Sequence, residues 1–313
     1  MISFIPDIIK LSPVTVLLLL LISACSSDHE KAYVVEVMAF DYAFNAPQEV
    51  PSGWITFELN NERAHEIHEI SIAKIPDGIS YAQYLSEYVG AWEILLQNFQ
   101  DGEIERSELG ERAQELLPEW EHENSVEYIN ARGLLSAGRI ASKTIYLEPG
   151  NYALDCWVKT EDGIIHISAG MSRPLTVTEE LANSPEPTPE ATIKLHKDDI
   201  TVENWEPQTG HHQFAMYMDS DEDGSAVYNN IHLIRVEDET DLHEVNNWMD
   251  WYSIGGLRAP APADFLGGTS TYDAEPGEDA TYFSLTITEP GQYAWIVNTP
   301  TESPLWKTFS IDE

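Results

Sequence analysis

Cysteine is almost missing from this chain: Cys25 and Cys156 are the only two in 313 residues. A disulfide framework of the kind that staples small secreted domains is therefore excluded. Basic side chains are scarce as well, with 16 Lys and Arg against 54 Asp and Glu and a formal net charge of −38. A surface of that sign repels phosphate backbones, so nucleic acid is excluded as a partner. It suits a cationic partner or a saline, extracytoplasmic setting. Glycine-rich phosphate loops and nucleophile elbows are absent, which removes the nucleotide-binding and esterase classes that depend on them. Beyond residue 24 no apolar run is long enough to cross a bilayer.

What is present begins at the N-terminus. Residues 1–24 hold an apolar run from Val14 to Ile22 with only Asp7 and Lys10 charged, the h-region of a signal peptide. The run ends in "LISACSS", where Ser23 and Ala24 precede Cys25. This resembles the lipobox of bacterial lipoproteins. The resemblance implies cleavage before Cys25, lipidation of that residue, and a mature protein anchored at the periplasmic or cell-surface face of the envelope. Cys156 is then the only thiol left. A lone thiol in an oxidising compartment has to be buried, metal-bound or reactive.

Residues 179–191 fall within "TEELANSPEPTPEAT", a Pro- and Glu-rich stretch without apolar periodicity that reads as a linker. It separates residues 31–178 from 192–313, and the two halves share a plan. Each opens on strand-like segments, "YVVEVMAFDYAF" and "SGWITFELNN" in the first, "TIKLHKDDITVENW" and "HHQFAMYMD" in the second. The pair "IHEISIAKI" and "IHLIRVEDE" aligns His68 with His232, and each leads into a helix, from Ser80 and from near Thr240. Gln83 completes a capping box with Ser80, and residues 103–123 predict a further polar helix with no counterpart. Each half closes on a Pro-Gly turn two residues before a tyrosine, "LEPGNYALDCWV" and "TEPGQYAWIVNT", which resembles the tyrosine corner of Greek-key sandwiches. Two tandem β-sandwiches, with a helical insertion in the first, are expected; a single large domain is the alternative.

Strand parity places His68 with Ile70 and Ile72, and Cys156 with Tyr152, Leu154 and Val158, on inward faces. The loop after Cys156 can return His166 and Met171 to the same end. Two imidazoles and a thiolate with a thioether on the axis are the donor set of a blue-copper site. Each residue alone would more often be core.

The order His68, Cys156, His166, Met171 resembles that of the cupredoxins (type 1 copper proteins). Nine residues separate Cys156 from His166, more than in azurin- or plastocyanin-like members. "HISAGM" is more similar to the type 1 loop of copper nitrite reductases. The first half also resembles a group of bacterial cupredoxin-like proteins through "DYAFNAPQEVPSGWITFELNN", "YALDCWV" and "GMSRPLTV". The resemblance implies a mainly β, cupredoxin-like fold and one type 1 copper on His68, Cys156, His166 and Met171. In the second half Val297 stands for the cysteine and Leu305 for the methionine, so that domain is expected to lack copper.

Nitrite reductases and multicopper oxidases resemble one another in adding paired histidines, one beside the type 1 cysteine. Here Asp155 and Trp157 flank Cys156, and no His-x-His occurs, so an enzyme is not expected. The leading reading is a lipid-anchored electron-transfer cupredoxin with a redox partner protein. A metal-free interaction protein on the same scaffold, and copper storage or delivery, are the alternatives. "DSDEDG", residues 219–224, matches the start of an EF-hand loop, but its twelfth position is Asn230, and an acidic hairpin turn is the simpler reading.

Overall fold

The computed structural model describes residues 31–130, 133–220, 228–271, 279–298 and 304–312. The signal segment with Cys25 and most of the acidic 219–224 stretch lie outside the described residues. No described helix is long and apolar enough to cross a membrane.

In the first half, β1 (Tyr33–Phe40), β3 (Glu49–Asn60) and β6 (Ile140–Leu147) form one layer, with the short β2 (Ala43–Asn45) beside β1. β4 (Ser71–Ile75), β5 (Glu127–Asn130), β7 (Gly150–Asp155) and β8 (Ser172–Leu181) form the other, in the order β8-β7-β4-β5. The start of β3 pairs with β8 and its remainder with β1 and β6, so one strand passes from layer to layer. Val35, Val37, Ile55, Phe57 and Ile145 from one layer share a core with Ile72, Tyr152, Leu154 and Leu175 from the other. The second half repeats the plan. β9 (Ala191–His196), β10 (Asp199–Glu203), β11 (Gly210–Met218) and β14 (Thr281–Ile287) face β12 (Asn230–Val236), β13 (Asp264–Ser270), β15 (Gly291–Ile296) and β16 (Trp306–Ile311). Both halves are two-layer β-sandwiches. β1–β3 and β9–β11 are the corresponding parallel pairs.

Both corners form. The Tyr152 hydroxyl donates to the Glu148 carbonyl at 2.8 Å and that of Tyr293 to Glu289 at 2.6 Å, fixing the entry of β7 and β15. These corners also set the register between halves. Lys74 lies opposite Tyr152 and Arg235 opposite Tyr293. Ser71, opposite Asp155, therefore shares its station with His232, opposite Ile296. The sequence pairing of His68 with His232 is off by three residues, and the counterpart of His68 is Asn229. Similar "I-H" pairs misled the alignment; backbone pairing, which repeats through the corner, corrects it.

The halves join through their sheets. β14 pairs antiparallel with β6, with the Ser142 and Ser284 hydroxyls 2.6 Å apart across the seam, so one twelve-stranded sheet runs through both. Residues 182–190 carry no helix or strand but are tied down. Ser184 accepts from the Tyr33 amide, and Glu186 from the Tyr282 hydroxyl.

The insertion starts as foreseen, with Ser80 and Gln83 forming a reciprocal capping box at α1 (Tyr81–Gln83). The helix continues through a π turn (Tyr84–Val89) into α2 (Gly90–Gln100). α3 (Leu109–Leu116) and α4 (Glu119–Glu123) follow. Tyr84, Tyr88 and Leu96 bury against the first core. In the second half α5 (Leu242–Met249), capped by Asp241, buries Val245 and Met249. Those side chains, with Ile234, Phe265, Ala294 and Ile296, belong to the first half's core cluster.

Candidate metal centre

The loop between Cys156 and His166 is a hairpin. Lys159 bridges Ile165, the Thr160 amide donates to Ile164, and the His166 amide donates to the Val158 carbonyl. The nine intervening residues go out and return, leaving His166 beside the strand it left. At the turn Gly163 holds φ +88°, and a Cβ there would collide with Arg258 and Gln100. The Met171 amide donates to His166, and the Met171 carbonyl accepts from the Cys156 amide. Gly170 (φ +116°) lets this return pass under the Tyr42 carbonyl, which would lie 3.3 Å from an added Cβ.

His68 precedes β4 and is pinned by both its backbone groups to Leu135. Glu69, buried, accepts from the Trp157 amide at 3.0 Å, so the segments that carry His68 and Cys156 are tied beside their ligating residues. Asp155 accepts from the Tyr84 and Ser172 hydroxyls, each at 2.5 Å; Tyr84 thereby fastens the insertion to the residue before Cys156. Alternation from the inward His68 and Cys156 puts Glu69 and Asp155 on the opposite faces, yet both are buried. They are buried because the sheet is covered on both sides, by the insertion and by the second half, so alternation along β4 and β7 does not separate inside from outside.

His68, Cys156 and His166 have no exposed surface, and they are the one His/Cys/Asp/Glu group among the described residues arranged to hold a metal ion. Cys156 Sγ lies 3.8 Å from His68 Nδ1 and 3.5 Å from His166 Nδ1, and the two Nδ1 atoms are 3.2 Å apart. A point equidistant from three atoms so spaced is about 2.0 Å from each, close to metal–imidazole lengths of about 2.0–2.1 Å. Burial holds His68 down to about 4, and burial together with the His68 ring holds His166 down to about 3. Burial, with the Glu69 charge, pushes the Cys156 thiol well above its ordinary value. The three donors are thus neutral without a cation, and a thiolate is favoured there only with a positive charge to compensate it. A soft thiol with two imidazoles in a dry, preformed triangle fits copper. Met171, also wholly buried, adjoins the triangle through its two backbone bonds.

Two residues of the site had no sequence signal. Glu66 Oε2 approaches the outer nitrogen of His166, Nε2, at 3.3 Å, and the Tyr42 hydroxyl donates to Glu66 Oε1 at 3.2 Å. The Tyr42 ring stands edge-on to the His166 ring, with centroids 5.1 Å apart. Both lie in irregular segments, where periodicity says nothing about direction. His65 is exposed and paired with Asp41 at 2.8 Å. His211 and His212 bind Ser284 and the Gln208 carbonyl respectively. Asp219 pairs with His196.

The second half braces the loop. Lys159 exchanges backbone bonds with Leu257 and Ala259. Its ammonium reaches the Trp251 carbonyl at 2.7 Å and sits 4.8 Å from that ring's centre. The Trp251 indole donates to the Trp157 carbonyl at 2.9 Å, and Gln100 ties Gly163 to Arg258.

No protein-family model matches the chain, and no curated protein is similar to it. Among solved structures, a reduced auracyanin from Roseiflexus castenholzii matches with a TM-score of 0.28 at 20% identity, over 47% of this chain and 98% of that one. Auracyanin A, a "blue" copper protein from Chloroflexus aurantiacus, matches with a TM-score of 0.27 at 15% identity, over 47% of this chain and all of that one. A copper-containing nitrite reductase from Thermus scotoductus matches with a TM-score of 0.22 at 9% identity, over 90% of this chain and 61% of that one. Likenesses this slight say nothing about chemistry, which rests on the donors themselves. Those donors, buried and converging in the first of the two sandwiches, form a group that could hold one metal ion, and a thiol with two imidazoles is a set that suits copper.

Proposed function

We propose that this protein is a copper protein of the cell envelope that carries single electrons through one type 1 centre. His68, Cys156 and His166 would hold the ion, with the Met171 thioether as a fourth, soft donor. When bound, copper supplies a one-electron couple. The chain's part is to exclude water and keep the donors in place, and a scaffold bonded on every side of the triangle makes the donors slow to rearrange. The observation that carries the reading is the convergence of the three buried donor atoms within bonding reach of one point.

Asp155 and Trp157 flank Cys156, and no second metal cluster occurs among the described residues. Electron transfer to a partner protein is therefore favoured over catalysis at a second copper. The lipobox-like "LISACSS" supports anchoring through Cys25. Residues 31–178 would act as the copper domain and 192–313 as a metal-free companion.

The test is reconstitution of residues 26–313 with Cu(II). An intense visible thiolate-to-copper band and reversible one-electron reduction are expected. Absence of the band would overturn the copper reading in favour of a metal-free interaction protein. A band without reversible reduction would favour storage or delivery. Radiolabelled palmitate incorporated by the full-length chain, and lost in Cys25→Ser, tests the anchor.

A further inference from the structure

Of the two ligand imidazoles, only His166 has a carboxylate at its outer nitrogen. His166 Nε2 is buried and has no hydrogen-bond partner among the described residues, and the same holds for the Glu66 Oε2 atom that approaches it at 3.3 Å. His68 Nε2 is buried without a hydrogen-bond partner as well, and among the described residues no carboxylate ion-pairs with it. Glu66 is itself held in place. The Tyr42 hydroxyl donates to its other oxygen, and Asp41 takes both the amide and the ring nitrogen of His65 at 2.8 Å. The turn at 41–42 thus clasps the segment 65–66 against His166.

We propose that Glu66 is the positioning residue for His166: its charge keeps the imidazole proton on Nε2, leaves the Nδ1 lone pair facing Cys156 and His68, and favours Cu(II) over Cu(I) at the centre. A neutral imidazole carries one N–H, and which nitrogen bears it is set by what the other faces. An ionised carboxylate accepts only, so the proton is drawn to the nitrogen beside it. The same negative charge, one ring away from the metal position, stabilises the more highly charged oxidation state. Glu66 keeps some exposure, and it also lines an open surface pocket of about 440 Å³ with His65, Ile67 and Glu161. Water there screens part of the effect.

The redox half of this inference rests on the copper reading; the tautomer half does not. In the copper-free protein, nitrogen-15 chemical shifts of His166 are expected to show the proton on Nε2, and a proton on Nδ1 would overturn the proposal. Glu66→Gln removes the charge that holds the proton, so the share of His166 with its proton on Nδ1 should rise in it, and a tautomer unchanged in both Glu66→Gln and Glu66→Ala would overturn that half. After copper loading, Glu66→Ala should lose about 10–100-fold in Cu(II) affinity. Both variants should have a raised reduction potential, about 59 mV for each tenfold loss of preference for Cu(II) over Cu(I). If the parent shows the visible band and both variants keep its potential and affinity, Glu66 has no such role. A parent without the band would sink the copper reading and leave the tautomer measurement to decide. Should Glu66→Ala fail to fold, Glu66→Gln and the parent still settle the matter.

Discussion

The two halves have the same strand plan and the same tyrosine corner, yet among the described residues only the first gathers metal donors. At matching stations the first half has His68, Cys156 and a closing hairpin with His166; the second has Asn229, Val297 and no histidine near Leu305. The donors therefore belong not to the framework strands but to the segments hung between them. The second half is not idle. Its β12, β13 and β15 are apolar on both faces, one toward its own core and one toward the first. Through Trp251, Leu257 and Arg258 it holds the hairpin that carries His166.

The sharpest way to break this comparison is at the cysteine station. Cys156→Ser should abolish the visible copper band entirely, while Val297→Ser, at the matching station, should leave its position unchanged. A band surviving in the first variant would show that Cys156 is not the sulfur donor.

Trp251→Ala probes whether the companion half matters to the site. Removing a buried tryptophan should cost about 3–5 kcal/mol in urea unfolding and weaken the copper band, because the Lys159 ammonium loses the ring it sits over and the Trp157 carbonyl loses its indole donor. If stability falls and copper binding does not, the brace is structural only.

Acid should act on the first half. Both imidazoles are neutral when folded, with His68 near 4 and His166 near 3, against about 6.5 in an unfolded chain. Below about pH 6.5 the unfolded state binds the extra protons, so copper-free protein loses stability from there toward pH 4. Asp155 has the opposite sign. Raised to about 7 by burial, it takes up a proton in the folded state over that window and offsets one imidazole. The net loss should be about 1.4 kcal/mol per pH unit, read from urea midpoints. In the double variant His68→Leu, His166→Leu the fall should disappear; if it persists, other groups control it.

The smallest expected effect tests the likeness of the halves. Tyr152→Phe and Tyr293→Phe each remove one hydroxyl-to-carbonyl bond, and each should lose about 1 kcal/mol. A loss confined to one of them would show that the corners are not equivalent.

Much of this was legible in residue order. Short-range rules carry the capping box at Ser80, the two corners, and the strands on either side of residues 179–191. Lone soft donors in a fixed order carried His68, Cys156 and His166. Parity did less well. It put Glu69 and Asp155 on the faces opposite His68 and Cys156, yet both are buried, because alternation marks burial only when one side of a sheet meets water. Segment similarity also paired His68 with His232, because a repeated dipeptide aligns more readily than the backbone register does.

Sequence alone determined the sandwich plan and singled out the three side chains that cluster, His68, Cys156 and His166, since strand periodicity, turn chemistry and ligand softness are local properties. Only the tertiary structure decided that a nine-residue gap folds back on itself, that Glu66 and Tyr42 close over His166, and that the second half grips the copper loop. Those contacts join residues from distant, irregular segments, and their directions are set by packing rather than by any period in the chain.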